Sequence, residues 1–139
     1  VDGILGHLLS CLIQLEKLAW KYRGIYIYGI ANCGFYEGIQ TELSLKVLQN
    51  WCIKSGFIWG GGIGIGGGSS LAHLPKMKRG YIPKAPINKA LGAIAGSIMQ
   101  QKVQKNHYAS VGIPRFPYKI IAQMEWRWMI KAMAARQRI

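Results

Sequence analysis

Leu5, Leu8, Leu9, Leu12, Leu15 and Ala19 recur at intervals of three and four residues. That spacing predicts an amphipathic helix that ends near Tyr22 to Gly24. Gly24–Ala31, GIYIYGIA, is apolar, uncharged and rich in Ile and Tyr, which predicts a strand covered on both faces. Helical spacing returns from Glu37 to Lys54. It places Ile39, Leu43, Val47, Leu48, Trp51 and Cys52 on the expected inner side. Ser55-Gly56 ends that helix, with glycine taking the left-handed position after the last turn. Phe57–Gly62 then predicts a second buried strand, which runs into GGGIGIGGGSS. A strand, a helix and a strand in succession form a βαβ unit, so the two strands are expected to be parallel with a right-handed crossover.

The second half is less regular. Ser69–Pro86 is polar and basic and holds Pro75, Pro83 and Pro86, which predicts a long loop of the kind often used for function. Asn88 to about Gln104 reads as a helix with Ala90, Leu91, Ile94, Ala95 and Ile98 inward. Gly92 and Gly96 lie one turn apart on it and would allow a neighbouring backbone to approach. VGIPRFPYK is a second break. Pro117–Arg138 reads as a closing basic helix with Ile121, Met124, Trp128, Met129 and Ala132 on its apolar positions. No internal repeat is visible.

Composition narrows the class. A chain of 139 residues, half of them hydrophobic, suits one domain with a real core. Cys11, Cys33 and Cys52 are an odd number with no paired spacing. They form neither a disulfide framework nor a zinc site, and a reducing cytoplasm is the expected location. No secretory leader pattern opens the sequence. Ser55–Pro75 has no charged residue, but its eight glycines and one proline make a poor membrane helix. The formal charge of +13 is uneven: residues 1–75 carry +1 and residues 76–139 carry +12. Such asymmetry points to an anionic partner for the second half or to a solvated basic face.

Several chemistries fail on their own requirements. Gly62, Gly64 and Gly67 fit G-x-G-x-x-G. A dinucleotide site needs a helix directly behind the glycines and an acidic residue about 20 positions on. Here a proline-containing basic segment follows, and no Asp or Glu lies between Glu42 and Glu125. No Gly-Lys-Ser/Thr closes a Walker loop. His7, His73 and His107 lack metal spacing. Five acidic residues are too few and too scattered for a catalytic triad or a carboxylate pair. Arg115, Trp126, Arg127, Trp128 and Lys131 are residue types that bind nucleic acid, yet tryptophans at helical spacing read as core, and no specific nucleic acid is expected. One cluster stands out: Asn32, Cys33, Gly34, Phe35, Tyr36 and Glu37, where the first strand passes into a helix. Open parallel sheets bind ligands beyond the carboxyl ends of their strands. Gly34 would let a backbone come close, and Phe35 and Tyr36 would flank an aromatic ring. The Glu37 carboxylate is explained by the helix dipole.

VDGI and GHLL near the start, then IANCGFYEG, NWC and GIGIGGG, together resemble the flavodoxin-like NAD(P)H-dependent oxidoreductases of the FMN reductase type. PRFPYKIIAQMEWRWMIKA resembles their C-terminal helix. The resemblance covers most of the chain and is most specific in its central part. It implies an α/β fold, a partial flavodoxin-like three-layer sandwich whose parallel strands are the family's strands four and five with flanking helices. Strands one to three and the phosphate loop would have no counterpart in residues 1–139, and the single partial domain would carry a basic helical extension from about 106 to 139. By resemblance, Asp2 and Gly3 belong to the loop after strand three. Asn32, Cys33, Gly34, Phe35 and Tyr36 belong to the loop after strand four, and both loops border the flavin ring.

The resemblance further implies FMN and NAD(P)H as cofactors, hydride and electron transfer in the complete protein, and no catalytic side chain, since the flavin carries the chemistry. The 139-residue chain alone is expected to be inactive. Its first strand is expected to have one unpaired edge, which favours self-association. Gly34 is expected to be the position least tolerant of a side chain, partly for backbone reasons. The rival reading is a non-enzymatic basic module that binds an anionic surface, membrane or nucleic acid, through residues 76–139.

Overall fold

The computed structural model describes residues 6–68 and 84–136. Three parallel strands form one sheet in the order β1 (Tyr26–Asn32), β2 (Ile58–Ile65) and β3 (His107–Ala109). The α-helices among the described residues are α1 (Gly6–Leu18), α2 (Glu42–Lys54), α3 (Ala85–Met99) and α4 (Arg115–Arg136). The expected β1-α2-β2 unit is present, and its strands are parallel. Helix α2 ends as expected: Gly56 has φ +81°, and Phe57 N–H donates to Cys52 O at 3.0 Å.

The central strand is built around missing side chains. β2 does not stop at Gly62 but continues through the glycine run to Ile65. Ile27 pairs with Trp59 and Tyr28 with Gly61, so Gly60 is an extra residue, a β-bulge. Gly61 sits there at φ +123°, a conformation that side chains rarely adopt. Beyond the bulge, Gly62 faces Leu45 of α2 and the Trp59 ring. Ile63 and Ile65 point to the opposite face, where they join Ile87, Ile94, Ala109 and Val111 in the main core. Helices α2 and α3 thus cover opposite faces of one parallel sheet. Each fully buried Leu or Ile contributes on the order of 2 kcal/mol, and Leu45 and Ile63 are completely enclosed.

Hydrogen bonds on both faces of the sheet hold α3 and the segment that follows it. Tyr28 Oη lies 3.0 Å from Ser97 O and 3.1 Å from Lys102 O. Trp59 Nε1–H donates to Asn106 Oδ1 at 3.1 Å, and Gln104 N–H to Gly60 O at 2.9 Å. The segment after α3 is thereby tied along β2 and delivered into β3.

Several expectations are corrected. The inner face of α2 is Thr41, Leu45 and Cys52, whereas Ile39, Leu43 and Val47 are exposed. A 3-10 turn over Gly38–Thr41 sets this rotation, with Thr41 Oγ1–H donating to Gly38 O at 2.8 Å. Helix α3 starts at Ala85, with Pro86 in its first turn, and ends at Met99, before Gln101 at φ +49°. Its buried positions are Ile87 and Ile94; Ala95 and Ile98 are exposed, and no neighbour approaches Gly92 or Gly96. Among the described side chains of α1 only Leu12 is buried, with Ala19 in the turn that follows, while Leu8, Leu9 and Leu15 face out. β3 lies inside the stretch, about 106 to 139, expected to be a basic helical extension. Most of the predicted Ser69–Pro86 loop lies outside the described residues.

Helix α4 departs furthest from expectation. Met124, Trp128 and Met129, predicted inward, are exposed, and Trp128 is 78% exposed. The helix is held near its start, where Tyr118 is buried against the main core.

Candidate functional site

β1 ends at Asn32 and β2 at Ile65, and these two residues are register partners. Both chains therefore leave the sheet at one level. Cys33 N–H donates to Ile65 O at 3.0 Å, and Gly68 N–H donates back to Cys33 O at 2.8 Å. Gly67 N–H donates to Phe35 O. The Asn32–Tyr36 segment is thus an extension of the sheet rather than a free loop. Cys33 is buried, and its thiol lies 3.8 Å from both Phe35 O and Glu37 O. That geometry makes the thiol a small group that closes a turn. Asn32, Gly34 and Phe35 are exposed at the carboxyl end of the strands, and Tyr36 is half-buried. Asp2 and Gly3 lie outside the described residues.

Gly34 differs from expectation. Its φ is not left-handed, and among the described residues no atom lies within 4 Å of the place a Cβ would occupy. Gly38, four residues on, is crowded instead: its Cβ would meet Ala109 O at 2.5 Å and Gly64 O at 2.6 Å. The Gly38 N–H is also engaged, donating to Ser110 Oγ at 3.2 Å. One N–H at the start of this helical segment is therefore already taken. Gly62 and Gly64 lie inside β2 and cannot wrap a pyrophosphate, so the G-x-G-x-x-G match has no site behind it. Only Gly66–Gly68 border the strand end.

The C-terminal segment reaches the same place from the other side. Tyr118 Oη–H donates to Gly34 O at 3.2 Å, and its ring packs tilted on Tyr36, with centroids 5.0 Å apart. Tyr36 Oη–H donates to Ile113 O at 2.8 Å. Arg115 pairs with Glu37 at 3.3 Å. Past this joint, one face of α4 and the Phe35–Gln40 segment bound a cleft of about 970 Å³. Phe35, Phe116 and Trp126 line it together with Lys119 and Arg127. Sequence reasoning found Phe35 and Tyr36 but treated the tryptophans as core. The signal that marks α4's cleft-facing side is the four-residue spacing of Tyr118, Ala122, Trp126 and Ile130.

No protein-family model, curated protein or solved structure matches this chain. Its chemistry rests on the residues themselves. Among the described residues no three His, Cys, Asp or Glu side chains gather as a metal site, and no helix is long and apolar enough to cross a membrane. Cys52 is fully buried under α2, and burial pushes its thiol up to about 11. It is a packed thiol held away from the reactive thiolate form.

Proposed function

We propose that this chain is the part of a flavodoxin-like, FMN-dependent NAD(P)H oxidoreductase that carries strands four and five, with Asn32–Tyr36 bordering the flavin ring. The observation that carries this reading is the Asn32–Tyr36 segment, pinned to the carboxyl ends of two parallel strands with Asn32, Gly34 and Phe35 exposed. Ligands of open α/β sheets bind at that end. The β1 strand is at the sheet edge among the described residues. Exposed Ile25 and Ile30, together with the exposed leucines of α1, support a sheet that continues beyond it.

The segment fits the ring of FMN better than its phosphate. Gly34 admits a close neighbour, and the Phe35 ring is free to pack against a flat surface. The Gly38 N–H is already taken by Ser110, so the phosphate contact falls to other residues, and Asp2 and Gly3 would belong to the second ring-bordering loop. When bound, FMN supplies hydride transfer between NAD(P)H and an acceptor. The protein's part is to hold and orient the ring, and no side chain is assigned a proton or a bond. The odd number of cysteines with no paired spacing fits a reducing cytoplasm.

The test is FMN titration, followed by flavin fluorescence, of the protein expressed from its complete gene. Gly34→Val is a clean probe because neither backbone angle nor space opposes the side chain in the folded chain. It is expected to stay folded by circular dichroism and to lose about tenfold or more in FMN affinity, the equivalent of one or two hydrogen bonds. Cys33→Ser is expected to retain both FMN and turnover. A wild-type protein that binds no FMN overturns the reading. A folded Gly34→Val that binds normally reduces the segment to a turn, and loss of turnover in FMN-loaded Cys33→Ser makes the thiol catalytic.

A further inference from the structure

The cleft beside α4 is not needed for the flavin reading, and its composition is unusual for a solvated surface. Phe116 is 75% exposed, Trp126 68% and Phe35 56%. Aromatic rings bury large areas when they pack, and a cluster left in water marks a binding surface. These three come from two segments far apart in sequence and line one cavity. Its size lies at the upper end of small-ligand sites.

The charge on the walls is one-sided. Arg115, Lys119 and Arg127 face a single carboxylate, Glu37, which leaves +2. Arg115 and Glu37 neutralise each other at 3.3 Å, so the surplus rests on Lys119 and Arg127. Neither has a carboxylate partner among the described residues. Both stand on α4, eight residues apart, with Trp126 adjacent in sequence to Arg127. An aromatic wall next to two uncompensated cations suits a ligand that is flat at one end and doubly negative at the other. Guanidinium and ammonium groups recognise phosphate in just this way, and aromatic faces take any base.

We propose that this cleft binds a nucleoside phosphate, with the base against Phe35, Phe116 and Trp126 and the phosphate on Lys119 and Arg127. The chemistry is shared by a free nucleotide and by a nucleic-acid strand. The cleft is of small-ligand size rather than an extended groove, which favours the free ligand. The site shares Phe35 with the ring-bordering segment Asn32–Tyr36, while its other aromatic walls and both of its surplus cations stand on α4.

The experiment is calorimetric titration of the protein expressed from its complete gene with AMP and ADP, and with adenosine, inorganic phosphate and oligoadenylate as comparisons. AMP and ADP are expected to bind more tightly than adenosine or phosphate, and binding is expected to weaken with added salt. Trp126→Ala is expected to lower affinity roughly tenfold, and Arg127→Gln to lower it and flatten the salt dependence. Both residues are exposed, so far-UV circular dichroism is expected to be unchanged. No saturable binding of AMP or ADP overturns the proposal. So does binding that ignores both substitutions. Binding by oligoadenylate alone, with none by the mononucleotides, overturns it in favour of a strand-binding groove.

Discussion

Leu45 and Trp128 are both large apolar residues in the middle of helices, yet one is completely enclosed and the other is 78% exposed. The difference lies in what each helix faces. α2 lies over a strand whose Gly62 leaves a socket for Leu45. α4 is held near its beginning, by Tyr118 on Gly34 and Tyr36 and by Arg115 on Glu37, and its later turns present aromatic and basic side chains outward. The body is thus specified by shape, and the outer part of α4 by chemistry suited to something other than this fold. Leu45 therefore bears mainly on stability and Trp126 mainly on binding.

The largest expected effect breaks the body. Leu45→Ala empties a closed socket between α2, Gly29 and Gly62 and should cost about 2–5 kcal/mol, as enclosed leucines do. Urea unfolding followed by circular dichroism measures it, and a loss under about 1 kcal/mol would show that the socket collapses or was never closed.

A pH effect of intermediate size sharpens the same contrast. The Cys52 thiol, at about 11 in the fold against 9.0 for an ordinary cysteine, is neutral in both folded and unfolded chains below pH 9. Its contribution to stability is complete there and falls as pH rises through 9 towards 11, because the unfolded thiol ionises first. The stability advantage of wild type over Cys52→Ala is therefore expected to shrink across that window, as read from urea midpoints at stepped pH. A constant difference would mean that Cys52 is reached by solvent.

The smallest effect belongs to the outer helix. Trp128→Ala is expected to change stability by no more than about 0.5 kcal/mol, as for surface positions. A change of several times that size would mean that the tryptophan is covered after all.

These two regions also mark what the sequence could reveal. β1, α2 and the beginning of β2 were legible because uncharged apolar runs and a helical repeat lie between clear stops, with Gly56 at the cap. The rotation of α2 was not, because Ile39, Leu43 and Val47 also form an apolar stripe. The choice between stripes is made by Thr41 and by the glycines of β2, a tertiary matter. The expected strand ends at Gly62, yet it runs on to Ile65, with Leu45, Trp59 and Tyr28 filling space that side chains on its glycines would occupy. β3 has only three residues, and its identity comes from pairing with Ile63–Ile65. In the candidate site, Phe35 and Tyr36 were legible from their place at a strand end. Tyr118 was not, since it meets Gly34 from 84 positions away. Periodicity on α4 located apolar residues but carried no information on whether anything covers them.

The most direct measurement is amide chemical-shift mapping of FMN titrated into isotopically labelled protein from the complete gene. FMN is both a flat ring and a phosphate ester, so it has access to either region. The largest shifts are expected at Asn32–Tyr36, on the carboxyl ends of the parallel strands. Shifts confined to Arg115–Ile130 would contradict the flavin reading and leave α4's cleft as the place where the chain meets its ligand.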